Sequence, residues 1–257
     1  MNIFLKPEQF TAGVATLIES EHLHLTRVMR AKIGQELTLL DGLGNGFRAE
    51  IVEIAKHQTT AKILEPVALP AEPSIELSVA QALGKGDKFE QVIQHGTEIG
   101  ASEFTPIRAE RCVVDVPPAK IPDRVQRWGQ IAKSAAEQSF RSRIPKVNAP
   151  AAFKAAIESA AKSDSHCLLL HTSKESIALV SALKRLDSPS KLTLLVGPEG
   201  GWSSGEIEFA QEFGVQTVSL GEYILRTETA ALVAISQIIF HYDHLQPILA
   251  ISKHISK

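Results

Sequence analysis

From Ser74 to Tyr242 the chain alternates short, largely apolar segments with amphipathic ones, and this alternation constrains its fold more than any other feature. Ile75 to Leu83, Glu103 to Ile107, His166-Cys-Leu-Leu-Leu-His171, Leu192-Thr-Leu-Leu-Val196 and Val215 to Leu220 predict short buried strands. Helices are predicted between and after them. Asp87 followed by Glu90 approaches a capping box, opening a helix that buries Phe89, Val92, Ile93 and Ile99 and ends at Gly100. Arg124 to Phe140 reads as a second helix. Ser203-Ser-Gly-Glu206 is a complete capping box for a third, which stops at Gly214, and Glu228 to Tyr242 is a fourth. Such a series folds as a parallel sheet covered by helices on both faces, an α/β architecture.

The first 65 residues have a different period. Gln35-Glu-Leu-Thr-Leu-Leu40 and Phe47 to Ile54 alternate apolar and polar residues as half-buried strands do, joined by the turn-rich Asp41-Gly-Leu-Gly-Asn-Gly46. Thr59 to Leu64 supplies another strand, and Glu21 to Arg30 a short helix with Leu25, Val28 and Met29 on one side. Pro66-Val-Ala-Leu-Pro-Ala-Glu-Pro73 carries three prolines and reads as a stiff linker. The chain of 257 residues is thus expected to form two unequal domains, a small barrel over residues 1–70 and an α/β domain over residues 74–257.

Several classes are disfavoured. Cys112 and Cys167 are far apart, and no His or Cys stands at metal-ligand spacing, so neither a disulfide framework nor a metal site is expected. The first residues lack the basic-then-apolar pattern of a secretory signal, and no apolar run approaches the ~20 residues of a membrane span. A cytoplasmic protein without membrane association is the expectation. Net charge is −2 overall, yet the stretch from Arg108 to Lys146 holds nine basic and four acidic residues. That segment is a candidate contact for a phosphate backbone, or a solvated face clustered by chance.

Ligands of open parallel sheets bind beyond the carboxyl ends of the strands. Two segments lie there. In Leu195-Val-Gly-Pro-Glu-Gly-Gly201 the three glycines let a ligand approach the backbone, although the spacing matches neither a Walker loop nor a dinucleotide fingerprint. Glu199 would accept hydrogen bonds from a ligand or serve the helix N-terminus that follows. In Leu220-Gly-Glu-Tyr-Ile-Leu-Arg-Thr-Glu-Thr229, Arg226 places a permanent cation beside a helix N-terminus, suited to an electron-rich substrate, or else pairs with Glu228 at the surface. Trp128 fits core packing. Trp202 borders the first turn or packs under the helix. His22, His24, His95 and His171 carry no specific signal.

Taken together, Leu195-Val-Gly-Pro-Glu-Gly-Gly-Trp-Ser203 and Leu220 to Ala230 resemble the signature of the RsmE family, bacterial small-subunit ribosomal RNA uridine-N3 methyltransferases of the SPOUT superfamily. The resemblance extends through Lys85-Gly-Asp-Lys88, Gln94, Thr97-Glu-Ile-Gly100, Thr105-Pro-Ile107, Glu110 to Val114, Arg127 to Ala132, Ala136 to Ser139 and Arg141 to Pro145. It also includes His24 to Arg30 and Asp41-Gly42, and so covers nearly the whole chain. Two departures stand out: Tyr223 occupies a position where relatives commonly carry a basic residue, and the first residues lack an early arginine.

The resemblance implies an N-terminal PUA-like β-barrel that binds RNA and a C-terminal SPOUT-type trefoil-knotted parallel sheet flanked by helices. It implies a homodimer acting on small-subunit ribosomal RNA, within the assembled or nearly assembled subunit, with S-adenosylmethionine as methyl donor and no metal. The donor would lie among Leu170, His171, Val196, Gly197, Pro198, Glu199, Gly200, Gly201, Leu220, Gly221, Ile224, Leu225, Arg226 and Thr227. Arg226 would stabilise negative charge on the uracil oxygens, and Glu228 or solvent would take the N3 proton. Arg27, Arg30, Arg108, Arg111, Arg141 and Arg143 would grip phosphates. The rival readings are a SPOUT enzyme for another RNA position and a non-catalytic RNA-binding assembly factor; the intact glycine turn and Arg226 segment favour an enzyme.

Overall fold

The computed structural model describes residues 2–187 and 189–243. It divides into two units, Met1–Glu72 with Ala136–Ile144, and Pro73–Ala135 with Pro145–Lys257. The first unit takes a nine-residue segment from the middle of the chain, which neither composition nor period announces.

In the first unit, strands β1 (Asn2–Phe4), β2 (Phe10–Thr11), β3 (Val14–Ile18), β4 (Glu36–Leu40), β5 (Gly46–Ile54) and β6 (Gln58–Val67) form one sheet in the order β1-β4-β5-β6-β3-β2. All neighbours are antiparallel except β1 and β4. Alternation turns Leu17, Leu37, Leu39, Ala49, Ile51 and Ala61 inward to a common core, as the period of two predicts. The predicted helix is shorter than expected: α1 (Glu19–Leu23) gives way to a wider turn at His24–Val28, closed by Met29 N donating to His24 O at 3.0 Å. Five-residue spacing breaks the 3.6 period. Leu25 remains buried while Val28 and Met29 turn outward, 69% and 39% exposed.

The proline-rich stretch is not a free spacer. Val67 still belongs to β6, and Leu69 packs beside Phe4, Leu40, Ala136 and Ile144. Glu72 is held by the incoming segment: it accepts from Arg141 Nε at 3.0 Å, from Ser142 N at 2.9 Å and Oγ at 3.0 Å, and from Arg143 N at 3.0 Å. Burial alone would push this carboxyl up, but the Arg141 and Ser142 bonds outweigh it and hold the group below the ordinary range.

The second unit contains β7 (Glu76–Ala82), α2 (Lys88–Ile99), β8 (Glu103–Arg108), α3 (Ile121–Gln138, whose last turn joins the first unit), β9 (Lys146–Val147) and β10 (Ala151–Ala152). These are followed by α4 (Phe153–Lys162), β11 (His166–Leu170), β12 (Ile177–Ala178), α5 (Leu179–Leu183), β13 (Lys191–Val196), α6 (Ser204–Glu212), β14 (Gln216–Ser219) and α7 (Thr227–Asp243). The strands form a wholly parallel sheet in the order β10-β8-β7-β13-β11-β14-β12, with β9 beside β8. Paired residues share a face. Ala80, Leu169 and Leu195 lie in one apolar cluster with Phe153 and Ile157 of α4 and Ala210 of α6. The opposite face carries Val79, Phe104, Leu168 and Leu194, all nearly fully buried, and α2 and α7 pack together there.

The expected strands are present within one or two residues. α4, which the alternation left unassigned, shows its signal in retrospect: Phe153, Ile157 and Ala160 are buried at helical spacing. Ser203 and Glu206 make the reciprocal capping bonds. Asp87 stands at the N-cap of α2 without a side-chain cap bond, and Glu90 instead receives Arg127 Nη2 at 2.7 Å. Trp128 is buried edge-on to Phe89, with ring centres 4.9 Å apart.

Close approach of α2 to the sheet needs glycine at position 96, where a Cβ would fall 2.9 Å from the Phe104 ring and 3.2 Å from Ile235 Cδ1. Alanine is the better helix former by ~1 kcal/mol, whereas overpacking a filled core costs ~1–3 kcal/mol. Gly96→Ala is therefore expected to lower the unfolding free energy by about 1–2 kcal/mol in denaturant titration; an increase would refute the packing argument.

Candidate functional site

Because β13, β11 and β14 are parallel neighbours, their carboxyl ends lie side by side, and the segments that leave them enclose one cleft. Its volume is about 510 Å³. His171 and Thr172 follow β11, Gly197 to Trp202 follow β13, and Leu220 to Arg226 follow β14; Thr227 and Ala230 of α7 and Lys88 of α2 complete the wall.

The floor is set by hydrogen bonds that cross the sheet. Trp202 is buried, stacks obliquely against Phe153 and donates from Nε1 to Leu170 O at 2.9 Å, so the glycine turn is pinned to the end of β11. A Cβ at Gly197 would lie 3.0 Å from that indole. The Thr227 hydroxyl donates to Gly197 O at 2.6 Å and accepts from Gln81 Nε2 at 2.8 Å. Gln81 is 2% exposed, and the pairing of Gln81 with Val196 places its amide level with the end of β13. One chain of bonds thus joins β7, the start of α7 and the glycine turn.

Three charged residues, Lys88, Glu199 and Arg226, line this cleft, and a fourth, Glu228, stands beside Lys88. Lys88 Nζ lies 2.6 Å from Glu199 Oε1 and 3.6 Å from Glu228 Oε2. The Glu199 bond holds the Lys88 ammonium above its ordinary range, and Lys88 holds the Glu199 carboxyl below its own. Arg226 is exposed at the rim and, among the described residues, its guanidinium has neither an ion pair nor a hydrogen bond. The surface pairing of Arg226 with Glu228 is not what forms; Glu228 turns to Lys88. Tyr223 and Ile224 stand out from the loop, 89% and 88% exposed.

Of the residues expected around a donor, Leu170, His171, Val196, Gly197, Pro198, Glu199, Gly201, Leu220, Gly221, Ile224, Leu225, Arg226 and Thr227 all line the cleft. Gly200 faces elsewhere, and its carbonyl accepts from Arg111 Nη1 at 3.0 Å. Glu228 sits behind Lys88 and is not part of the lining. The expected phosphate contacts divide between the units. Arg27, Arg30 and Arg143 are exposed in the first, where Arg141 is 9% exposed and bound to Glu72. Arg108 is exposed in the second, 3.8 Å from Asp115. Lys88, Thr172, Val218, Ser219 and Ala230 were not anticipated as lining. Only Lys88 had a signal, as the basic residue opening α2 in Lys85-Gly-Asp-Lys88.

The RNA methyltransferase domain family matches residues 71–239, and the RNA methyltransferase PUA domain family matches residues 19–64. The chain is 38% identical over 236 residues to the ribosomal RNA small subunit methyltransferase E of Synechocystis sp., covering 92% of this chain and 76% of the relative. It is 34% identical to the protein of the same name from Bacillus subtilis, over 95% and 97% of the two chains. The crystal structure of a ribosomal RNA small subunit methyltransferase E from Neisseria gonorrhoeae bound to S-adenosylmethionine superposes with a TM-score of 0.82 at 30% identity, over 92% and 95% of the chains.

Thr227→Val keeps the side-chain shape but leaves Gly197 O and a buried Gln81 amide hydrogen without this partner. A loss of about 1–3 kcal/mol in unfolding free energy is expected. A denaturant titration giving an unchanged midpoint would show that the turn is held by other means.

Proposed function

Because this chain belongs to the ribosomal RNA small subunit methyltransferase E family, we propose that it methylates N3 of a uridine in small-subunit ribosomal RNA, with S-adenosylmethionine as donor. The observation that carries this reading is the cleft itself: three strand-end loops, a backbone-lined turn and an uncommitted arginine converge on one small-molecule-sized cavity. Its residues fit the donor. The volume lies in the range of small-molecule pockets, Ile224 and Leu225 offer apolar surface, and Glu199 offers negative charge toward a sulfonium.

S-adenosylmethionine supplies a methyl carbon already activated by its cationic sulfur. The protein's part is then to hold and orient, and to ease loss of the N3 proton. The glycine turn, fixed by Thr227 and Trp202, holds one side of the donor; Leu220 to Leu225 hold the other. The Arg226 guanidinium has no ion pair or hydrogen bond among the described residues and directs its charge to the uracil oxygens as they become negative. Glu228 stands 3.6 Å from Lys88, and in this reading solvent takes the proton.

The wider reading follows the family. The first unit acts as a PUA-like barrel that grips RNA through Arg27, Arg30 and Arg143, and Arg108 and Arg111, both exposed, add contacts from the second. The second unit is knotted in the SPOUT manner and pairs with its copy, and the substrate is the assembled or nearly assembled subunit in the cytoplasm. Arg141 leaves the set of phosphate contacts, because it is buried against Glu72.

Calorimetric titration of the wild-type protein with S-adenosylmethionine is expected to give saturable binding, lost in Gly197→Arg, whose side chain must displace Trp202. Binding that survives in a folded Gly197→Arg protein would move the donor elsewhere. In Arg226→Ala, turnover should fall roughly 100-fold or more while donor affinity stays within a few-fold; near-normal turnover would end the role given to Arg226. Replacing Arg27, Arg30 and Arg143 together by alanine should lower the salt slope of RNA binding by about 0.7 to 0.9 for each phosphate no longer neutralised. An unchanged slope would return those residues to the solvated surface.

A further inference from the structure

Lys88 is a site residue for which the proposed function has no use. Lys88 lines the cleft, and the position of its ammonium is built rather than incidental. It is bound by Glu199 from the turn after β13 and faced by Glu228 from α7. The pair lies flat over Gly84, where a Cβ would fall 2.9 Å from Glu199 Oε1 and 3.2 Å from Lys88 Cδ. Around the same cleft stand Arg226, His171 and Tyr223. Two cations therefore line one cavity: Lys88 held by carboxylates, and the Arg226 guanidinium without an ion pair or hydrogen bond among the described residues.

We propose that Lys88 is the second cation of the reaction site, stabilising the uracil anion together with Arg226 and positioned for this by Glu199 and Glu228. The inference rests on the uridine-N3 reading and deepens it. At neutral pH the N3 nitrogen carries a proton. That proton leaves to solvent hydroxide as water, and the electron pair left on N3 forms the new bond to the methyl carbon. The carbon–sulfur bond breaks with its pair returning to sulfur. The negative charge that exists before transfer spreads over N3 and the two flanking oxygens, and a fixed ammonium lowers its energy without reorganising. The hydrogen bond to Glu199 favours the charged form of Lys88.

The test compares wild type, Lys88→Met and Lys88→Arg on RNA containing uridine and on RNA containing 5-fluorouridine, whose N3–H is more acidic. Donor affinity is measured separately by calorimetry. In Lys88→Met, kcat at neutral pH should fall roughly 100-fold, the size of loss seen when one stabilising donor is removed. The deficit should shrink as pH rises, and shrink about tenfold on the 5-fluorouridine substrate, because less stabilisation of the anion is then needed. Lys88→Arg should remain within roughly tenfold of wild type with an unshifted pH profile, and donor affinity should stay within a few-fold in both variants. A deficit that is the same at every pH and on both substrates, or one explained by lost donor affinity, overturns the proposal. Wild-type protein that yields no 3-methyluridine in digested RNA overturns the underlying reading instead, so the two failures are distinct.

Discussion

The cleft depends on the register of one central strand. β13 is paired to β7 with Val196 level with Gln81, and to β11 with Leu195 level with Leu169. A parallel ladder allows no partial slip, because moving by one residue would exchange the two buried faces. Leu195 would leave the cluster around Phe153 and Trp202, and Leu194 would leave the opposite face. The apolar burial that fixes this register therefore also places Gln81 beneath the start of α7, where its amide orients the Thr227 hydroxyl toward Gly197 O. Core packing and pocket shape are one constraint here, transmitted through two hydrogen bonds.

This arrangement separates rigid parts of the site from adaptable ones. Trp202, Thr227 and Gln81 are nearly buried and bound to neighbours on the cleft side. Arg226, Tyr223 and Ile224 are exposed on a segment without regular structure. The first group is held by internal bonds, so a ligand there meets a preformed wall. The second group presents exposed apolar area and charge at the rim. Lys88 is intermediate: it is fixed by Glu199 as the floor is fixed, yet it lines the cleft wall.

The α/β class, the main strands and the glycine turn were legible because period and capping are local properties of sequence. The Ser203 to Glu206 box closes as read, since both partners lie within one turn. Asp87 and Glu90 have nearly the same pattern, yet Glu90 is taken by Arg127 and the box stays open. Competition from a residue 37 positions away cannot be seen from spacing. The same limit hid Lys88, whose partners lie in one distant turn and one distant helix, and hid the return of Ala136–Ile144 to the first unit, which rests on the Glu72 hydrogen bonds. The outward turn of Val28 and Met29 has another origin: a single wide turn changes the period itself.

The basic segment shows why a count of charges predicts so little about binding. Of its nine cations, Arg124 and Arg127 face Glu90, Lys146 faces Glu103, and Arg141 is bound by Glu72. The carboxylates that answer them lie outside the segment, so the local excess of positive charge is largely neutralised in space though not in sequence. Exposed pairs of this kind are worth at most ~1 kcal/mol each and can be exchanged for a phosphate at little cost. Arg141 cannot, because removing it from Glu72 would strand a half-buried carboxylate that also orders Ser142 and Arg143. Whether an arginine is available to RNA is thus decided by what its present partner would lose. By that criterion Arg141 belongs to the fold, while Arg108, Arg143, Arg27 and Arg30 remain at the surface.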